Sequence, residues 1–345
     1  MSDPKALDIL VCGAQKPFMH GGAEQHQENL VTALRAAGHR VELVRIPVGW
    51  EKGRVFDSPT AWRLIPADAD LVIATNFPSY FISHPNKVVW LFHQHRAAYD
   101  GAESKADWSD FGYDDGAVEE ARLLTEWDNI ALGEAQRIYS TSQVVADRLA
   151  RFNGLSATPL YHPPPLFDRL RPGEFGDYVF AIQRFDQNKR PGMIAEGLSR
   201  SSTRVRGVSA GRGELLDPVR HRARELRVDA RLDLPGFVSD EKAIDLFGNA
   251  LAVLYAPADE DMGYVNLQAF YAGKPVITAR DSGGVLEWVE DGVTGIVTDG
   301  SPKQLGEAFD RLDRDRALAR KMGEAGRERV RDLSWDDAVA TLIGG

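Results

Sequence analysis

Ala258-Asp259-Glu260-Asp261-Met262-Gly263-Tyr264-Val265-Asn266-Leu267-Gln268-Ala269-Phe270, running on into Tyr271-Ala272-Gly273-Lys274-Pro275-Val276-Ile277, decides the fold class of this chain. The apolar run just before it, residues 251–255, predicts a buried strand, and the three acids predict a polar loop. Gly263 opens a short helix that places Gln268 eight positions after Glu260. Gly273 ends that helix, and another apolar strand begins. A helix start with free backbone N–H groups beside a glycine is an anion site. A carboxylate facing it can hold the hydroxyls of whatever carries the anion.

The same alternation extends outward in both directions. Residues 7–12 predict a strand, Gly21-Gly22 lie in the loop after it, residues 24–37 form an amphipathic helix stopped by Gly38, and residues 41–46 form the next strand. That is a βαβ unit of parallel-sheet type. Strands are expected again at residues 71–74, 88–92 and 137–140. Tyr161-His162-Pro163-Pro164-Pro165 breaks regular structure and predicts an interdomain linker. A second set follows at residues 177–182, 204–208, 230–234, 251–255, 276–278 and 295–297. The expected architecture is α/β, with two doubly wound parallel-sheet domains and a cleft at the carboxyl ends of their strands. Residues 1–163 form the first domain, residues 164–330 the second, and residues 331–345 carry a last helix.

A chain of 345 residues suits two domains, and its 43% hydrophobic content is enough for two cores. The net charge of -10 argues against nonspecific binding to nucleic acid or anionic lipid. One cysteine, Cys12, excludes an internal disulfide or a cysteine-rich zinc site. No apolar run reaches membrane-spanning length and residues 1–10 do not read as a signal peptide, so the expected compartment is the cytoplasm. Residues 99–128 hold ten Asp or Glu, too many for a core segment. Nothing in the sequence indicates an oligomeric state.

The loop and helix from Glu260 to Gln268 resemble the donor site of the retaining GT-B glycosyltransferases of family 4, the glycosyl transferases group 1. That pattern has two glutamates eight apart; Glu260 matches the first, and Gln268 stands where the second would be. The resemblance implies two Rossmann-like domains, with an acceptor on the N-terminal side and a nucleotide sugar in the C-terminal one. It also implies a last helix that packs back across the domain junction. Arg184 and Lys189, five apart in Gln183-Arg184-Phe185-Asp186-Gln187-Asn188-Lys189-Arg190, match the pair directed at the donor diphosphate. Fixed cations stabilise the charge on a departing diphosphate without reorganising. Taken alone, such a turn is more often simply solvated.

By the same resemblance Glu260 bonds sugar hydroxyls, and the N–H groups at Gly263, Tyr264 and Val265 cradle the phosphates. Gln268 keeps the length and one acceptor oxygen for a ribose hydroxyl, so restoring a glutamate there is expected to tighten nucleotide binding. Gly21 and Gly22 occupy the loop that contacts donor phosphate or acceptor. His93 sits at a strand end near the reacting carbon, with His95 as a second contact. Backbone groups near Val238 read the base, and the glycines of residues 281–295 shape the donor loops. The Asp259-x-Asp261 pattern also suits a divalent metal, but the surrounding helix, glycine and strand belong to a metal-independent fold.

The resulting reading is a retaining hexosyltransferase with no cofactor and no metal. Its co-substrate is a UDP- or GDP-sugar, and its acceptor a saccharide or other small molecule. His93, Glu260, Arg184 and Lys189 are assigned to the chemistry. A nucleotide-sugar epimerase and a noncatalytic sugar-nucleotide-binding subunit are the alternatives on the same fold. The acidic segment, through Asp114 and Asp115, is the one clue to the acceptor and favours a cationic one; its plainer reading is a solvated, mobile loop.

Overall fold

The computed structural model describes residues 6–18, 21–49, 53–105, 109–111 and 113–344. Asp107 of the acidic segment, and residues 1–5 of the N-terminal stretch weighed as a leader, lie outside the described residues. The chain divides into two compact units, Met1–His162 with Ser334–Gly345, and Pro163–Leu333.

In the first unit β1 (Asp8–Gln15), β2 (Arg40–Pro47), β3 (Leu71–Ala74), β4 (Lys87–Leu91), β5 (Arg137–Ser140) and β6 (Thr158–Pro159) form one parallel sheet in the order β2-β1-β3-β4-β5-β6. The helices are α1 (Gly22–Ala36), α2 (Asp57–Arg63), α3 (Asp100–Ser104), α4 (Asp115–Gly133) and α5 (Gln143–Asn153). β3 and β4 are buried along their whole length, as expected of parallel strands covered on both faces. Strand order reverses between β1 and β3, which makes the carboxyl ends of those two strands the switch point of this sheet.

The acidic segment corrects the expectation of a solvated loop. From Asp115 onward it is the 19-residue helix α4, which buries Ala117, Ala121, Leu124, Asp128, Ala131 and Leu132. Its acids are mostly on the outer face, so their number along the chain hid a helical apolar stripe. Asp128 is the exception: it lies in the core and accepts from the Tyr99 hydroxyl. Burial pushes its carboxyl up to about 7, against the Tyr99 hydrogen bond.

The second unit repeats the pattern with β7 (Tyr178–Ile182), β8 (Arg206–Ala210), β9 (Leu232–Gly236), β10 (Ala252–Leu254), β11 (Val276–Ala279) and β12 (Gly295–Thr298). All pairs are parallel, in the order β12-β11-β10-β7-β8-β9. Its helices are α6 (Met193–Arg200), α7 (Leu216–Glu225), α8 (Asp240–Gly248), α9 (Tyr264–Tyr271), α10 (Pro302–Arg314) and α11 (Arg316–Val330). The reversal here falls between β7 and β10, so the loops leaving those strands meet at the switch point.

The last helix, α12 (Trp335–Ile343), belongs to the first unit. Arg137 donates to the carbonyls of Gly344 (2.6 Å) and Leu342 (3.2 Å), and Trp335 packs on His162 with ring centroids 4.6 Å apart. Among the described residues no helix is long and apolar enough to cross a membrane.

Candidate functional site

The turn after β7 is tied to the loop after β10 by Arg190. Its guanidinium donates to the carbonyls of Ala256 (2.8 Å) and Pro257 (2.6 Å) and takes both oxygens of Asp281 at 2.8 and 2.9 Å. That bidentate pair holds the Asp281 carboxyl below its ordinary range. The Ala258 N–H closes the junction on the Asn188 carbonyl at 2.7 Å. With the two loops joined, Lys189 Nζ meets Glu260 Oε2 in an ion pair, the side chains 14% and 18% exposed. The Tyr255 hydroxyl donates to the same oxygen at 3.0 Å.

Gly283 and Gly263 let the Glu260 loop take this path. At Gly283, with φ +60°, a Cβ would lie 2.5 Å from the Glu260 carbonyl oxygen. At Gly263, with φ +79°, it would lie 2.6 Å from Asn266 Oδ1 and 2.7 Å from the Tyr255 ring. Gly263 is the N-cap of α9, so the amides of Tyr264 and Val265 open that helix next to the Lys189–Glu260 pair in sequence. The acids flanking Glu260 differ in setting: Asp259 is exposed and Asp261 buried. Among the described residues no group of three His, Cys, Asp or Glu side chains is placed to hold a metal.

Two second-unit candidates bond to neither Lys189 nor Glu260, though Arg184 lies within electrostatic reach of Tyr255. Arg184 pairs with Asp186 at 3.1 Å, its side chain 54% exposed, and it makes no bond to Glu260. Gln268 donates its amide N–H to the Pro165 carbonyl at 3.0 Å. That revises the expectation for Gln268→Glu: the atom a glutamate would lack is the one in use, and a carboxylate would face a carbonyl oxygen. Val238 lines a groove of about 370 Å³ with Tyr178, Arg206, Asp233, Lys242 and Asn249, none of which belongs to the Lys189–Glu260 cluster. Chemistry and topology locate the candidate site; cavity volume does not.

In the first unit the candidates are spread among internal partners. Gly21 caps α1, and its N–H donates to Glu24 Oε2 at 2.8 Å, so a carboxylate of the chain already sits at that helix start where Gly22 begins the first turn. The switch point itself is filled by Gln27, whose amide donates to Thr75 Oγ1 (3.0 Å) and Asn76 Oδ1 (3.2 Å). His93 is half-buried, with Nδ1 donating to the Gln94 carbonyl at 2.6 Å. His95 is stacked on Phe77 at 5.2 Å and edge-on to Phe111 at 5.5 Å. Burial, then His93, pushes its pKa down to about 4, so it is a neutral core residue and not an open contact. Asp114 is the N-cap of α4, accepting from the Ala117 N–H at 2.9 Å, and Asp115 begins the first turn.

Sequence reasoning missed Tyr255, Arg190 and Asp281. Arg190 follows Lys189 directly and carried a signal only in hindsight of the loop pairing. Tyr255 read as the last apolar residue of a strand, and its hydroxyl gave no sequence-level sign of a partner.

Comparison with known proteins places the second unit in a recognised group. Residues 168–329 match the model of the family described as Glycosyl transferases group 1. The alpha-1,3/1,6-mannosyltransferase ALG2 of Homo sapiens is 31% identical over 201 residues, 51% of this chain and 48% of that one. The GDP-mannose-dependent alpha-(1-6)-phosphatidylinositol monomannoside mannosyltransferase of Mycobacterium tuberculosis is 32% identical over 229 residues, 58% of this chain and 59% of that one. The match thus spans about half the length of these relatives. Sucrose-phosphate synthase from Thermosynechococcus elongatus superposes with a TM-score of 0.77 at 16% identity, covering 97% of this chain and 96% of that one. The fold is GT-B, as the sequence led us to expect.

Proposed function

We propose, from the match of residues 168–329 to the glycosyl transferases group 1 family, that this chain is a retaining glycosyltransferase moving a hexose-type sugar from a nucleoside-diphosphate sugar to a saccharide or other small-molecule acceptor. The observation that carries this reading is the Lys189–Glu260 pair, formed by the loops leaving β7 and β10 at the switch point of the second sheet. A cation and a carboxylate side by side match the two ends of such a donor. Lys189 takes the diphosphate, Glu260 takes the sugar hydroxyls, and the backbone at the start of α9 lies beside the phosphates. Without a donor the two charges neutralise each other, and donor binding exchanges one pair for two charge-assisted contacts.

The bond from the anomeric carbon to the diphosphate oxygen breaks as the acceptor oxygen attacks on the same face. The leaving phosphate oxygen takes the acceptor proton, so the configuration is retained. Arg184, half exposed and paired with Asp186, adds a second cation to the departing diphosphate. GDP-mannose is the first donor to try, because both relatives described above are mannosyltransferases and one is named as GDP-mannose-dependent.

The test is transfer of labelled sugar from GDP-mannose and from UDP-glucose to a panel of saccharides in excess chelator. An α-linked product formed without added metal supports the reading. An inverted product, or turnover that vanishes in chelator and returns with magnesium or manganese, contradicts it.

A further inference from the structure

Glu260 Oε2 accepts from two donors, the Lys189 ammonium and the Tyr255 hydroxyl, while Oε1 accepts from no group among the described residues. The carboxylate is therefore anchored by one oxygen and offers the other. The two anchors differ in kind. Lys189 ends a flexible chain and is the cation that a diphosphate would draw away. Tyr255 directly follows β10, its N–H bonded to the Ile277 carbonyl at 2.9 Å, and is 4% exposed, with the Gly263 backbone against its ring. Its hydroxyl cannot follow a ligand.

We propose that Tyr255 is a positioning residue for the sugar-binding carboxylate: it fixes Glu260 Oε2 so that Oε1 stays aimed at the sugar after Lys189 has turned to the diphosphate. This rests on the donor reading above and adds to it a residue outside the sequence pattern. Burial, then the Glu260 charge, hold the Tyr255 phenol well above its ordinary range, so it remains a donor throughout the working pH range. A carboxylate held by lysine alone would lose its one fixed partner at the moment of donor binding. The tyrosine bond survives the exchange.

Tyr255→Phe removes the hydroxyl and keeps the ring. Calorimetric binding of GDP and GDP-mannose, and of UDP and UDP-glucose, to the full chain separates the two ends of the donor. The expected result is an unchanged affinity for the nucleoside diphosphate. The extra affinity of the nucleotide sugar should fall, and kcat/KM should drop by about tenfold, the loss expected for one charged hydrogen bond. The melting temperature of the unliganded protein should fall only slightly, because Lys189 still holds the carboxylate before the donor binds, which separates positioning from folding. Combined with Glu260→Gln, the variant should cost no more than Glu260→Gln alone, because both act through one carboxylate. Additive losses, or a Tyr255→Phe protein with an undiminished preference for the nucleotide sugar, overturn the inference alone. Wild-type protein that binds neither nucleotide nor nucleotide sugar overturns the donor reading and this inference with it.

Discussion

The two sheets have switch points of the same construction and opposite content. In the first, between β1 and β3, Gln27, Thr75 and Asn76 fill the position with their own hydrogen bonds, and all three are buried. In the second, between β7 and β10, the loops deliver Lys189 and Glu260, partly exposed and bonded chiefly to each other. A saturated amide network has nothing left to give a ligand. An ion pair at a rim can trade its partner for one. Topology alone therefore does not make a site; the site is where the switch point holds charges that a ligand can take over.

The largest effect that would sharpen this contrast is at Lys189. Lys189→Ala removes a charged contact from a mostly buried position, costing about 1.5–3 kcal/mol, or roughly tenfold or more in kcat/KM. Arg184→Ala should lose less, because its guanidinium is half exposed and screened. Steady-state kinetics with a saturating acceptor measure both. An Arg184 effect larger than that of Lys189 would move the centre of the site away from the Lys189–Glu260 pair.

How much of this was legible depends on what each residue does. Strands could be placed within a few residues because parallel strands buried on both faces leave unbroken apolar runs, as in Leu71–Ala74. Lys189 and Glu260 could be named because charges at strand exits stand out against those runs. The acidic segment misled because a count of acids ignores their spacing, and α4 keeps an apolar stripe beneath them. His95 and Asp114 show the converse limit: a histidine beside a strand and an aspartate in a loop read alike whether they face a ligand, a ring such as Phe77 or a helix end. Gln268 could not be settled from its type, because its partner is a backbone carbonyl about a hundred residues away.

A pH-dependent effect tests whether the first unit's buried acid is structural. The Asp128 carboxyl is raised, to about 7, so the folded protein holds a proton that the unfolded chain releases above about pH 4. Stability from this group is complete below that pH and is lost as pH rises toward 7, at up to about 1.4 kcal/mol per unit. Asp128→Asn keeps an acceptor for Tyr99 and removes the titration. Its melting temperature relative to wild type should therefore climb between pH 5 and pH 8. A constant offset across that range would mean that Asp128 does not titrate there.

The smallest effect concerns Asp114. As the N-cap of α4 it should cost about 1 kcal/mol when replaced by alanine and almost nothing when replaced by asparagine. Thermal melts of the two variants measure this. Asp114→Asn with Asp115→Asn should leave the acceptor KM unchanged at low salt. A KM that rises at low salt and recovers as salt increases would return the acidic segment to the acceptor site.

The central claim is that the second unit's Lys189–Glu260 pair opens to receive a nucleoside diphosphate. The most direct measurement is the thermal shift of wild type and Lys189→Ala with GDP and with UDP. A ligand at a hundred times its Kd should stabilise the native state by about 2.7 kcal/mol. The account predicts a clear rise in melting temperature for wild type with at least one of the two nucleotides, and most of that rise lost in Lys189→Ala. No rise with either nucleotide, or the same rise in both proteins, would contradict it.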